Sequence, residues 1–196
     1  MEKNQQTNNV NIVSNDDKLK DLILQKGKLY SLNDFDVIRQ LGNGAYAKVY
    51  LAKNKNDEKE YALKTISKAS LLKEQKLYQL YLETQLMLEL DNHFIAKLHG
   101  AFEESGKLIL VMDIYKNGDL FDFISINSKN FNNKLIYFAI FFFIFIENLH
   151  MNVVKHISAQ IVLALKYLRE KRVCHRDLKP ENIMLDENFD IKFVSK

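Results

Sequence analysis

The order of elements between Phe35 and Tyr115 restricts the fold more than anything else in the chain. "FDVIRQL" alternates well enough for a strand, "GNGAYA" interrupts it, and "KVYLAKN" alternates again. That pattern predicts a β-hairpin with a glycine-rich connection. "NKNDEK" predicts a turn and "EYALKTIS" a third strand. From about Leu71 to Leu90 the residues are mainly Leu, Glu, Gln, Lys and Tyr, with no Gly or Pro, which is the best helix signal in the sequence. "IAKLHGAFE", the turn "ESGK" and "LILVMDIY" predict a further hairpin. "NGDLFDFI" then opens a helix with Asn117 or Asp119 as its cap. Three strands, a helix, two strands and then helices make an α+β layout with an antiparallel sheet.

Composition narrows the class. The 196 residues are 47% hydrophobic and 27% charged, which describes a globular chain rather than a disordered one. A net charge of +3 is too small to argue for nucleic acid or a membrane as partner. The single cysteine, Cys174, rules out a disulfide framework and favours a reducing, intracellular and cytoplasmic setting. The opening "MEKNQQTNNVNIVSNDDKLK" lacks the apolar core of a secretory signal. Its Asn, Gln, Asp and Lys content predicts a flexible tail over residues 1–34.

The stretch from about Ser125 to Asn152 does not fit the element order. Its centre, "LIYFAIFFFIFI", is about a dozen apolar residues, whereas a spanning helix needs roughly 20. It shows neither helical nor strand periodicity and is too greasy for a solvated loop. Translated intron is one reading, since its residues are those of A- and T-rich codons; a membrane-seeking insert is the other. From about Val154 an amphipathic helix is expected, with Ile157, Ile161, Ala164, Leu165 and Leu168 on its apolar side.

Several residue groups point to chemistry. Gly42 and Gly44 allow a tight turn and a close approach to a phosphate, although a plain hairpin turn explains them as well. Alternation puts Ala62 and Lys64 on one face of the third strand and Tyr61 and Leu63 on the other. A small residue beside Lys64 leaves room for a flat ligand. On the following helix Leu80, Glu83, Met87 and Leu90 form one stripe, so Glu83 either interrupts an apolar face or lies at its edge. A buried carboxylate needs a partner, and Lys64 is the natural one. The run "CHRDLKPEN" is far more specific. Asp177 is placed to accept a proton or orient a hydroxyl, Lys179 to neutralise a transferring phosphoryl group, and Asn182 to offer Mg²⁺ a neutral oxygen. His175 and Arg176 read as scaffold for that loop.

Together these residues resemble the eukaryotic protein kinases, in the family's order and at roughly its spacing. The lysine two residues after Asp177 is similar to the Ser/Thr kinases. "FDVIRQLGNGAYAKVYLAK", "HFIAKLHGAFEE" and "SAQIVLALKYL" look most like the AGC group. The resemblance implies a kinase-like fold, with a complete five-stranded N-lobe carrying one helix and a mainly helical C-lobe. Residues 35–115 would be the N-lobe and hinge, and 116–196 an incomplete C-lobe with the insert at about 125–152. It implies ATP and Mg²⁺ as cofactors and a protein Ser/Thr hydroxyl as acceptor. Leu41 and the loop from Gly42 through Gly44 to Val49 would cover the nucleotide. Ala62 would lie against adenine, and Lys64, held by Glu83, would bind the α- and β-phosphates. Met112 would be the gatekeeper, Asp113 to Tyr115 the hinge, and Asp119 a ribose neighbour. Asp177 would be the catalytic base, Lys179 the γ-phosphate contact and Asn182 a metal ligand.

Departures from the family pattern temper this. Ala47 stands where the third loop glycine is expected, a mild change unless its φ is positive. After "IKFV" the family carries Asp-Phe-Gly, whose Asp holds Mg²⁺, whereas this chain has Ser195 and Lys196. The expectation is therefore a Ser/Thr kinase by descent whose C-lobe is truncated and whose activity is weak or absent. The alternatives are a nucleotide-binding pseudokinase module and a non-functional fragment.

Overall fold

A computed structural model describes residues 15–26, 30–44, 47–73, 76–127 and 151–194. The apolar run centred on "LIYFAIFFFIFI" lies outside the described residues, as do Ser195 and Lys196. Five strands form one antiparallel sheet: β1 (Phe35–Asn43), β2 (Ala47–Asn54), β3 (Glu60–Ser67), β4 (Leu98–Glu104) and β5 (Lys107–Asp113), in the order β1-β2-β3-β5-β4. The turns follow from local chemistry. Asn54 is fully buried, and its Oδ1 accepts the backbone N–H groups of Asn56 and Asp57, closing the β2–β3 turn. Ser105 and Gly106 both have positive φ, at 52° and 71°, as a two-residue hairpin between β4 and β5 requires.

Each face of the sheet has its own core. On one, Phe35, Ala52, Tyr61, Leu63, Phe102, Ile109 and Val111 pack together. On the other, Ile66, Leu98, Ala101, Leu108, Leu110 and Met112 meet Leu77, Leu80 and Met87 of a helix, α3 (Leu77–Glu89). The helix expected over Leu71 to Leu90 is two helices, α2 (Lys68–Lys73) and α3. Lys76 starts α3 with φ −96° and ψ 3°, outside helical geometry, and supplies no side-chain cap.

The flexible tail expected over residues 1–34 needs a second correction. Asn15–Lys26 forms α1, followed by a 3₁₀ turn at Leu32–Asp34. In α1, Leu19, Leu22 and Ile23 recur at helical spacing and are buried, and the helix packs against α3 and β4. The single N-lobe helix of the sequence reading is thus joined by α1 and α2. Leu19→Asp puts a carboxylate where the leucine is only 1% exposed. We expect it to undock α1 at a cost of about 1.5–3 kcal/mol. Amide exchange checks this: protection over 17–26 is lost while β3 and β5 stay protected.

After the sheet, Gly118 takes φ 72°, a left-handed turn that suits glycine. Asp119 accepts the Asp122 N–H through Oδ1 and caps α4 (Leu120–Asn127), whereas the Asn117 amide donates to the Asp186 carbonyl instead. The long helix α5 (Met151–Glu170) and a hairpin of β6 (Ile183–Leu185) and β7 (Ile191–Phe193) complete the described chain. Leu120, Val154, Ile157, Ala164, Leu168, Ile183, Leu185, Ile191 and Phe193 form the third core. Leu165, expected on the buried stripe, is exposed, together with Val162 and Leu163. Among the described residues the two halves are joined twice along the backbone. One junction is the chain from Asp113 to Asp119. The other is a parallel bridge in which Phe193 N–H donates to Phe94 and Ala96 N–H donates to Phe193, at 2.8 and 2.9 Å.

Candidate active site

Strand register assembles the first half of the site. Gly42 pairs with Val49, Val49 with Lys64, and Lys64 with Leu110. Directly paired residues share a face, so this row runs from the glycine-rich hairpin to the lysine. A neighbouring row joins Leu51, Ala62, Met112 and Leu98. Lys64, Ala62 and Met112 therefore lie on the α3 side of the sheet, while Tyr61 and Leu63 belong to the opposite core, as alternation requires. Leu41 is exposed at the rim. Gly42 and Gly44 do not have positive φ, so what they contribute is the missing side chain. A Cβ at Gly42 would meet nothing within 4 Å, and one at Gly44 would press on the Ala47 carbonyl at 3.3 Å.

Lys64 is only 6% exposed, and its Nζ lies 3.1 Å from Glu83 Oε1. The expected strand–helix pair is formed. Glu83 sits at the edge of the buried stripe of α3, whose buried members are Leu77, Leu80, Thr84 and Met87. A cation sunk this far needs its carboxylate, so the position of α3 and the position of the ammonium depend on each other.

The connecting segment holds Asp113, Tyr115 and Asp119. Asp113 Oδ1 lies 2.5 Å from His99 Nε2, a contact that nothing in the sequence pattern signalled. Burial pushes the Asp113 carboxyl up, but the His99 hydrogen bond and charge, with Lys97 behind them, outweigh it and leave the group below its ordinary value. The His99 ring also stands edge-on to Tyr61, with centroids 5.2 Å apart. Tyr115 is buried, and burial raises its phenol. Asp119 bridges to Met184, which ties this segment to β6.

The loop before β6 carries the second half. Asp177 N–H donates to the His175 carbonyl at 2.9 Å, and Arg176 between them has φ 65°. This is a γ-turn with a non-glycine residue in the left-handed region, a strained form kept where surrounding structure enforces it. The turn presents Asp177 outward. Lys179 Nζ lies 2.9 Å from Asp177 Oδ2, and Asn182 Nδ2 donates to the same oxygen at 2.8 Å and to the Asp177 carbonyl at 2.6 Å. The Lys179 hydrogen bond, opposed by some desolvation and aided by Asn182, holds the Asp177 carboxyl below its ordinary range. The His175 ring stacks edge-on against Phe193 at 5.5 Å. Burial pushes the imidazole down, while the Val194 backbone and the charges of Asp177 and Glu83 oppose that. His175 thus lies within electrostatic reach of both halves of the site.

Asn182 is fully buried, and its amide is divided in use. Nδ2 is committed to Asp177, while Oδ1 is buried with no hydrogen-bond partner among the described residues. A buried carbonyl oxygen without a donor is rare, and a hard divalent cation is the kind of group that satisfies it. Asn182 Oδ1, beside the Asp177 carboxylate, is therefore a fitting oxygen ligand for Mg²⁺. A cavity of about 480 Å³ opens elsewhere, against Leu63, Thr65 and Ile109 on the other sheet face, and Lys64 is not among its walls.

Known proteins resemble the chain over this same stretch. Residues 35–194 match the family model described as "Protein kinase domain". The chain is similar to cAMP-dependent protein kinase type 3 of Saccharomyces cerevisiae, with 34% identity over 84% of this chain and 37% of that protein. It is also similar to a probable serine/threonine-protein kinase of Dictyostelium discoideum, 33% identical over 85% of this chain and 32% of the relative. Ribosomal protein S6 kinase alpha-3 of Mus musculus is 35% identical over 83% of this chain and 20% of its own length. The chain spans little more than a third of the length of these relatives, or less.

Proposed function

This chain belongs to the protein kinase family, on its AGC-like Ser/Thr side, and on that premise we propose that it binds Mg-ATP and transfers the γ-phosphoryl group to a protein Ser or Thr hydroxyl. We propose residues 35–115 as the nucleotide-holding lobe and hinge, and 116–194 as part of the lobe that carries the transfer loop. The unpartnered Oδ1 of Asn182 beside the Asp177 carboxylate is the observation that carries this reading.

Lys64, fixed by Glu83, supplies a positive charge for the α- and β-phosphates. Leu41, Gly42, Gly44 and Val49 cover the phosphates, and Ala62, Met112, Asp113 and Tyr115 receive the adenine. Asp119 serves the ribose. Mg²⁺, when bound, neutralises phosphate charge, and Asn182 Oδ1 is the ligand this chain offers it. Asp177 orients the acceptor hydroxyl and takes its proton as the new O–P bond forms and the bond to the β-phosphate oxygen breaks. Lys179 neutralises the charge on the group in transit. Lys179, with Asn182, holds the Asp177 carboxyl below its ordinary value, and the ionised group accepts the hydroxyl's hydrogen bond.

A second reading, a nucleotide-binding module without transfer, is favoured by one observation: Ser195 stands where the family resemblance places the metal-holding Asp. Two measurements separate the readings. Mg-ATP at 100 times its dissociation constant should stabilise the chain by about 2.7 kcal/mol in thermal melting. Lys64→Met should abolish most of that shift; an undiminished shift would remove Lys64 from nucleotide binding, and no shift in the unaltered chain would sink both readings. Phosphate incorporation into a Ser/Thr peptide then decides between them, its absence despite binding selecting the module.

A further inference from the structure

The reverse face of β3 carries a cleft that the nucleotide reading leaves unused. It is the cavity of about 480 Å³ against Leu63, Thr65 and Ile109. Strand register grades its wall from apolar to polar. Tyr50 pairs with Leu63, Lys48 with Thr65, Thr65 with Ile109, and Ser67 with Lys107. From Leu63 to Ser67 that wall runs roughly 13 Å along the strand. Val37, 53% exposed, pairs with Ala52, two residues beyond Tyr50, and so extends the apolar end. At the polar end Ser70 of α2 adjoins Ser67, and Glu104 of β4 lies opposite Lys107.

The polar end is rich in donors and short of acceptors. Ser67 Oγ accepts the Ser70 hydroxyl at 3.1 Å and the Ser70 N–H at 3.4 Å, so Ser67 keeps its own hydroxyl hydrogen to give. The Thr65 hydroxyl and the ammonium groups of Lys48 and Lys107 have no hydrogen-bond or ion-pair partner among the described residues. Glu104 is engaged elsewhere, its Oε2 accepting the Leu32 N–H at 3.0 Å. The wall therefore sets two ammonium groups and two hydroxyl hydrogens against one carboxylate. What answers such a set is an anion with several lone pairs, through charge-assisted hydrogen bonds.

We propose that this cleft binds a straight-chain amphipathic carboxylate, with its head group at Lys48, Thr65, Ser67 and Lys107 and its hydrocarbon tail along Leu63, Tyr50 and Val37. The volume is that of an ordinary small-molecule pocket, roughly 300–1,000 Å³. The graded wall gives the ligand its direction. An anion without a tail leaves Val37 in water, and a neutral tail leaves the two ammonium groups unanswered. A singly charged head suits the wall better than a dianion, because Glu104 adds repulsion. Leu63 and Thr65 flank Lys64 on β3, so alternation puts this ligand back to back with the Lys64–Glu83 pair, on the other face of the sheet. The site is independent of the nucleotide reading.

The test titrates decanoate, below its micelle concentration, into the full chain, with 1-decanol and acetate as controls. One equivalent of decanoate should bind. Each control should bind at least about tenfold more weakly, 1-decanol for want of charge and acetate for want of a tail. Lys48→Ala combined with Lys107→Ala should weaken decanoate binding by at least about tenfold. The melting midpoint of the free protein should stay in place, because both side chains are exposed and unpaired. Methyl NMR needs no replacement: decanoate should move the Val37 and Ile109 signals and leave those of Ile183 and Leu185, in the other half, where they are. Equal affinity for decanoate and either control, an affinity unmoved by the paired lysine replacement, or Val37 and Ile109 signals that do not shift, overturns the proposal.

Discussion

Asp177→Asn should lower phosphoryl transfer by on the order of 10²–10³ in kcat, against the unaltered chain as reference, while leaving Mg-ATP binding in place. The replacement keeps the shape of the side chain and still accepts the Asn182 Nδ2 hydrogen bond at the oxygen now 2.8 Å away. What it removes is the charge that, on the proposed reading, accepts the acceptor's proton. The lost partner for Lys179 matters little to the fold, because both side chains are substantially solvated. Initial rates of peptide phosphorylation and the Mg-ATP melting shift, measured together, check the split. A variant that transfers phosphate at the original rate would remove Asp177 from the mechanism. One that loses nucleotide binding as well would show that Asp177 holds the loop rather than acts in it.

Leu108→Ala should cost about 2–5 kcal/mol, a large share of the roughly 5–15 kcal/mol that holds an ordinary domain together. Leu108 is fully buried on β5, paired with Ile66, in the core that also takes in Leu19 of α1 and Leu77 of α3. Two helices and the sheet close on this side chain, so little of the vacated space can collapse. Denaturant unfolding gives the comparison directly, with the midpoint falling and the slope unchanged. A loss under about 1 kcal/mol would mean that α1 and α3 are not anchored there.

The strands were legible because their cues are local. Period-2 alternation puts Lys64 with Ala62 and away from Leu63, and helical spacing aims Glu83 at the sheet, so the ion pair follows from two short patterns. The family resemblance added the roles that spacing alone leaves open. Helix α1 was hidden by composition: Asn and Gln around it read as tail, although Leu19, Leu22 and Ile23 already carried a helical stripe. The break between α2 and α3 has no Gly or Pro to announce it. The His99–Asp113 contact joins two strands by register, and the Lys48–Lys107 cleft joins three by the same means. Such sites become visible only once tertiary packing is known. Leu165 shows the converse error, an apolar residue at the right spacing that falls just beyond the buried arc of α5.

The paired backbone junctions of the two halves have a mechanical consequence. A body attached at one point can pivot in any direction, whereas a body attached at two keeps a single soft rotation about the line joining them. Here that line runs from the Phe94–Ala96 bridge at Phe193 to the turn at Gly118. Relative motion of Lys64 and Asp177 is thereby guided about that one line, so a nucleotide bound between them on the proposed reading would meet the same arc each time.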